Sequence, residues 1–176
     1  MKLIARMIPL LLVLPLTAQK PASVPTDPWQ GLSFLQGTWA GSTSSTGSSG
    51  GKVIGNYTFS PQLGNHILVR HTINIEGCKG PATFDCDHSD LLYLYQDAPG
   101  QPVKAIFFDN EGHVIHYDVS TPSAASAVFL SDASYSGPQF RLMYELKSGV
   151  MWGKFQMRMP AQSEWKSYLE WSGPKK

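Results

Sequence analysis

The stretch "FRLMYELKSGVMWGKFQM", Phe140 to Met157, decides the fold. Ser148 and Gly149 sit between two runs that alternate apolar and polar residues, the signature of a two-residue β-hairpin turn. Folding the runs about that turn sets Leu146 opposite Met151, Tyr144 opposite Gly153, Leu142 opposite Phe155 and Phe140 opposite Met157. That face is almost wholly apolar. The other face holds Arg141, Glu145, Trp152, Lys154 and Gln156 and belongs in water. Side chains alternate with period two along a strand, so the first face must point into a core.

Outward from this hairpin the same pattern fills the chain. It predicts strands over 38–43, 52–60, 66–76, 89–97, 102–108, 113–120, 126–131, 139–147, 150–159 and 165–171. Turn residues recur about every ten positions, as in an all-β sandwich or barrel. "DNEG" at 109–112 suits a type I turn followed by a left-handed Gly112. The strands flanking it place Val103, Ala105, Phe107, Ile115 and Tyr117 inward and pair Lys104 with Asp118 outside, as an exposed ion pair of little energetic weight. In the strand at 66–76, Ile67, Val69, Ile73 and Ile75 read as the inward stripe, with His71 its one ionisable member and Arg70 outside. No segment after Trp29 keeps a helical period for three turns, and only "WQGLSFLQ", 29–36, reads as a short helical turn. Short sequential hairpins imply an up-and-down antiparallel meander, and closing it removes the open edges. The expected fold class is therefore all-β: a closed antiparallel barrel of about ten strands, capped at one end by the helical turn.

The first residues stand apart from this domain. Lys2 and Arg6 precede the apolar run "IPLLLVLPL", and Ala18 offers a small residue before a cut. This reads as a secretory signal peptide over 1–18, too short to span a bilayer, followed by a polar, proline-rich leader over 19–28 and the domain at 29–176. A secreted or periplasmic location follows. The chain carries 14 Lys and Arg against 13 Asp and Glu, with a formal net charge of +1. A near-neutral chain without a basic stripe argues against nucleic acid and anionic membrane surfaces as partners, and faces that are apolar inside and polar outside, the reverse of an outer-membrane barrel, argue against stable membrane insertion. In an oxidising compartment Cys78 and Cys86 are expected to form a disulfide that closes a short loop. A metal held by Cys78, Cys86, His88 and Asp90 is not expected, because zinc motifs space their cysteines two to four residues apart.

Gly37-Thr38-Trp39 lies at the start of the first strand, just past the helical turn. A glycine there lets the chain bend into a closing barrel, and Trp39 lies across the floor as a large apolar plug. This Gly-x-Trp resembles that of the calycin superfamily, which includes lipocalins, fatty-acid-binding proteins and nitrobindin-like barrels. The run "HSDLLYLYQD…KAIFFDNEGHVIHYDV" is also similar to secreted bacterial lipocalin-like domains. The resemblance implies a barrel that takes up a small, mostly apolar molecule. Lipocalins commonly stack an arginine from beyond the last strand on the floor tryptophan, and here only Lys175 or Lys176 stands in that place. Nitrobindin-like barrels hold haem through a histidine of the last strand, and "WKSYLEW" has none.

His71, Tyr57, Tyr117 and Tyr144 are the candidate ligand-binding residues: a few fixed polar points on apolar inward faces, the usual make-up of a small-molecule site. His71 is also the residue through which haem or general-base chemistry would run, though no partner acid is apparent. No nucleophile motif is present, since "GSSGG" at 47–51 lacks the strand-turn-helix setting of a nucleophile elbow. Two readings follow, a barrel that binds a small hydrophobic ligand and a solid-cored barrel that binds none.

Overall fold

The computed structural model describes residues 27–43, 52–72, 79, 85–134 and 136–176. The expected signal peptide, most of the leader, the serine-rich loop at 44–51, the far end of the third expected strand and Cys78, the expected partner of Cys86, lie outside the described residues.

A 3-10 turn at Ser33–Leu35 leads into β1 (Gly37–Thr43), β2 (Ile54–Gln62), β3 (Ile67–Thr72), β4 (Asp90–Tyr95) and β5 (Lys104–Asp109). Then follow β6 (Val114–Ser123), β7 (Ser126–Ser131), β8 (Gln139–Lys147), β9 (Val150–Arg158) and β10 (Lys166–Pro174). Each strand pairs antiparallel with the next, and β1 pairs with β10 as well as β2, so the sheet closes into a ten-strand barrel. This is the fold class expected from the sequence, and it is consistent with a calycin-like fold. The β8–β9 hairpin has the register read from its alternation, with Tyr144 opposite Gly153 and Phe140 opposite Met157. Ser148 (φ 50°) and Gly149 (φ 79°) are both left-handed, as a type I′ turn requires.

One end of the barrel is a solid floor. Trp29, Leu32, Leu35 and Trp39 are all buried there. Trp29 Nε1 donates to the Asn65 carbonyl in the β2–β3 turn (3.1 Å), and Trp39 Nε1 donates to the Leu35 carbonyl (2.7 Å). Both indoles thereby keep their one polar group satisfied while their rings exclude water. Lys175 places its ammonium 5.6 Å from the centroid of the Trp39 ring, filling the position left for it beyond the last strand. Gly37, at φ 112°, is required by its left-handed backbone, and a Cβ there would also displace the end of the Lys175 side chain.

The other end is the mouth. Toward it the inward apolar residues Phe107, Ile115, Phe140 and Phe155 are only partly buried, as are Val103, Val119 and Leu146 at the floor end, whereas Phe59, Leu68, Leu94, Phe129 and Met151 are sealed.

Three expectations are corrected. In β3 the inward residues are Leu68 and Arg70, opposite Phe59, Leu92 and Leu94, which puts His71 on the outer face. The cause is local: Ile67, Leu68 and Val69 are all apolar, so either phase of the alternation looked like a core face. On the outer face of β9, Gln156 is buried rather than solvated, because Arg141 donates to it and Trp165 lies against both Arg141 and Arg158. Lys104 faces Asp118 across the strands, but its ammonium bonds Asp97 at 2.7 Å.

Gly153 lies under Trp171, its partner on β10, and a Cβ there would fall inside the indole ring. Gly153→Ala is expected to cost about 1–3 kcal/mol of stability by overpacking. Denaturant unfolding checks this, and an unchanged midpoint would mean that Trp171 is not seated on the glycine.

Candidate functional site

A cationic side chain stands in the middle of this apolar barrel. Arg70, inward on β3, donates from Nη2 to Oδ1 of Asp90, the first residue of β4, and from Nη1 to the Tyr144 hydroxyl on β8 at 2.5 Å. The guanidinium also lies 6.0 Å from the centroid of Phe107. Removing a guanidinium and a carboxylate from water costs several kcal/mol per ion, which is recovered only when each hydrogen-bonding position is well matched.

The match here is incomplete. Tyr57 Oη, Arg70 Nε and Trp171 Nε1 are buried with no hydrogen-bond partner among the described residues. All three belong to one cluster. The Tyr57 ring lies 6.0 Å from Tyr144 and 6.3 Å from Trp171, and Trp171 lies 5.8 Å from Tyr144. Trp171 Nε1 is close enough to Tyr57 Oη to favour its ionised form, yet it is not aligned to bond it. Each orphan carries a proton to donate, and Tyr144, which accepts from Arg70, retains its own. The cluster is therefore a set of donors short of acceptors.

Electrostatics keep these donors protonated. Burial disfavours the charged guanidinium of Arg70, but Asp90 and Tyr144 more than offset it and hold its pKa above the usual arginine value. Burial also pushes Tyr57, Tyr117 and Tyr144 above the ordinary tyrosine value, and repulsion between the Tyr57 and Tyr144 hydroxyls adds to it.

Of the residues expected to form the site, Tyr57 and Tyr144 lie in this cluster. Tyr117 is inward and buried, edge-on to Phe129 at 6.2 Å. His71 is not joined to them, since it pairs with Thr58 and Leu91 on the outer face. Gly37 and Trp39 belong to the floor. None of the five histidines (66, 71, 88, 113 and 116) takes an inward position on a strand, so the interior offers haem no imidazole.

Arg70 and Trp171 were not singled out from the sequence, and Asp90 figured there only as a rejected metal ligand, although two signals pointed to this cluster. Asp90 is in phase with the inward Leu92 and Leu94, and an inward carboxylate calls for a cation nearby. A glycine inside a strand, Gly153, marks a place where another group approaches closely. Comparison of the chain with protein-family models and with curated proteins finds no match.

Asp90→Asn should destabilise the barrel by about 3–5 kcal/mol, because it leaves Arg70 uncompensated, whereas the double change Arg70→Met with Asp90→Leu should recover most of that loss. Equal unfolding midpoints for the single and double variants would contradict the pairing. The raised tyrosine pKa values fix a sign as well. Their contribution to stability is fully present below the ordinary tyrosine value, about 10, and is lost as pH rises through the folded-state values. Of the seven tyrosines, three should ionise only as the protein unfolds. An alkaline titration of tyrosinate absorbance in which all seven ionise together near pH 10 would contradict this.

Proposed function

We propose that this protein is a secreted or periplasmic, calycin-like barrel that holds a small, mostly apolar molecule bearing one hydrogen-bond-accepting group. The observation that carries the reading is the donor cluster: Tyr57 Oη, Arg70 Nε and Trp171 Nε1, buried together and without acceptors among the described residues. A carboxylate or carbonyl oxygen would complete them, and a buried donor left unmade costs about 1–3 kcal/mol. The apolar part of the ligand would lie against Phe140 and Phe155, stacked at 5.6 Å, and Tyr168, edge-on to Phe155 at 6.0 Å. These rings line the mouth half, where the inward residues are incompletely buried. The floor indoles close the far end and leave one way in.

A second reading, a solid-cored barrel without ligand, is favoured by the ring packing in the middle. Phe59, Phe129 and Tyr57 all meet Tyr144 at 5.3–6.0 Å. The two surface concavities described, of about 390 and 230 Å3, are not lined by Arg70, Tyr57 or Tyr144. On either reading nucleic acid is not the partner.

Titration with anilinonaphthalene sulfonate, an apolar probe that bears an anionic acceptor, separates the two. A binding barrel should enhance its fluorescence, and Tyr57→Phe should weaken that binding about tenfold while leaving stability unchanged or raised, since it removes an unpartnered hydroxyl. No enhancement with the parent chain would establish the filled barrel.

A further inference from the structure

At the rim of the mouth two loops are clipped together by one side chain. Asn110, in the β5–β6 turn, accepts from Ser89 N–H at Oδ1 (2.9 Å), donates from Nδ2 to the Asp87 carbonyl (3.0 Å), and donates its own N–H to the Ser89 carbonyl (3.0 Å). The clip holds His88 over the turn. Its Nδ1 lies 3.4 Å from Glu111 Oε1 and its Nε2 lies 3.7 Å from Asp90 Oδ2. One ligand atom each from His88, Asp109 and Glu111 falls within 4.8 Å of the others.

The surroundings match those of a metal ligand set. The Asp109 side chain is 4% exposed. Its carboxylate accepts from the backbone N–H of His113 (2.8 Å) and of Glu111 (3.0 Å), and the His113 Nδ1 lies 2.8 Å from its other oxygen. Asp90 faces the second ring nitrogen of His88, which leaves Nδ1 directed at Glu111. A carboxylate behind a histidine is the arrangement that fixes tautomer and ring orientation at metal centres. Asp90, Asp109 and Glu111 bring three negative charges together, and among the described residues the one arginine or lysine paired with them is Arg70.

We propose that His88, Asp109 and Glu111 bind a divalent transition-metal ion of the zinc class at the barrel rim, with Asp90 and His113 orienting the ligands. An imidazole with two carboxylates suits borderline ions such as Zn2+, whereas Ca2+ and Mg2+ take all-oxygen sets. Three protein ligands leave a fourth position open at the mouth, for water or for a donor atom of a bound molecule. The site shares Asp90 with the interior cluster but does not depend on the interior binding anything.

Isothermal titration calorimetry of the full chain with ZnCl2, and separately with CaCl2, tests the proposal. One Zn2+ should bind per chain, with Ca2+ at least about tenfold weaker. Glu111 is half-exposed at the turn, so Glu111→Gln should keep the parent's melting temperature without metal and bind Zn2+ at least about tenfold more weakly. His88→Ala should do the same, while Glu145→Gln, on the outer face of β8, should bind as the parent does. Absence of Zn2+ binding, Ca2+ binding as tight as Zn2+, or Glu111→Gln binding as tightly as the parent would each overturn the proposal.

Discussion

A guanidinium in the middle of a β-barrel needs a counter-charge, and Arg70 finds it in Asp90. That one pair constrains much of the rest. It fixes the phase of β3, since Arg70 can reach Asp90 and Tyr144 only from the inner face. It fixes which face of β4 is inward, in agreement with Leu92 and Leu94. It ties β3 to β8 across the interior, between residues 74 positions apart in the chain. An apolar residue of similar volume would fill the same space more cheaply, because buried ion pairs seldom repay their desolvation. The pair therefore sets strand phase at a cost in desolvation, and the unpartnered donors around it are the observation on which the proposed binding of an oxygen-bearing ligand rests.

The two ends of the barrel divide the work. At the floor, Trp29 and Trp39 bury their rings and satisfy their N–H groups on backbone carbonyls, so nothing there seeks a partner. In the middle the buried donors lack acceptors, and toward the mouth the apolar rings are half-covered and the rim carries carboxylates and imidazoles set by turn geometry.

Much of the fold was legible because short turns and one-sided alternation determine register locally. Leu142, Tyr144, Gly153 and Phe155 took their expected places, since Ser148-Gly149 admits one pairing and only one face of the hairpin is apolar. The floor was legible too, because a glycine, a tryptophan and a terminal lysine stand at characteristic distances from the strand ends. β3 was not, because Ile67, Leu68 and Val69 make both faces look like core and Arg70 looks like surface. The interior cluster depends on contacts between β2, β3, β4, β8 and β10, which no local pattern encodes. Tyr57 and Tyr144 were found from their phase alone, while Arg70 and Trp171 required the closed sheet. His71 had been chosen for its chemistry, and the register gave its place to its neighbour.

The most direct test of the central claim, that the donors around Arg70 await an acceptor-bearing ligand, is native mass spectrometry of the chain purified without detergent. The account predicts a reproducible extra mass that leaves on denaturation and is absent from the double variant Arg70→Met with Asp90→Leu. A bare polypeptide, with the variant indistinguishable from the parent, would contradict it and leave the barrel a filled scaffold.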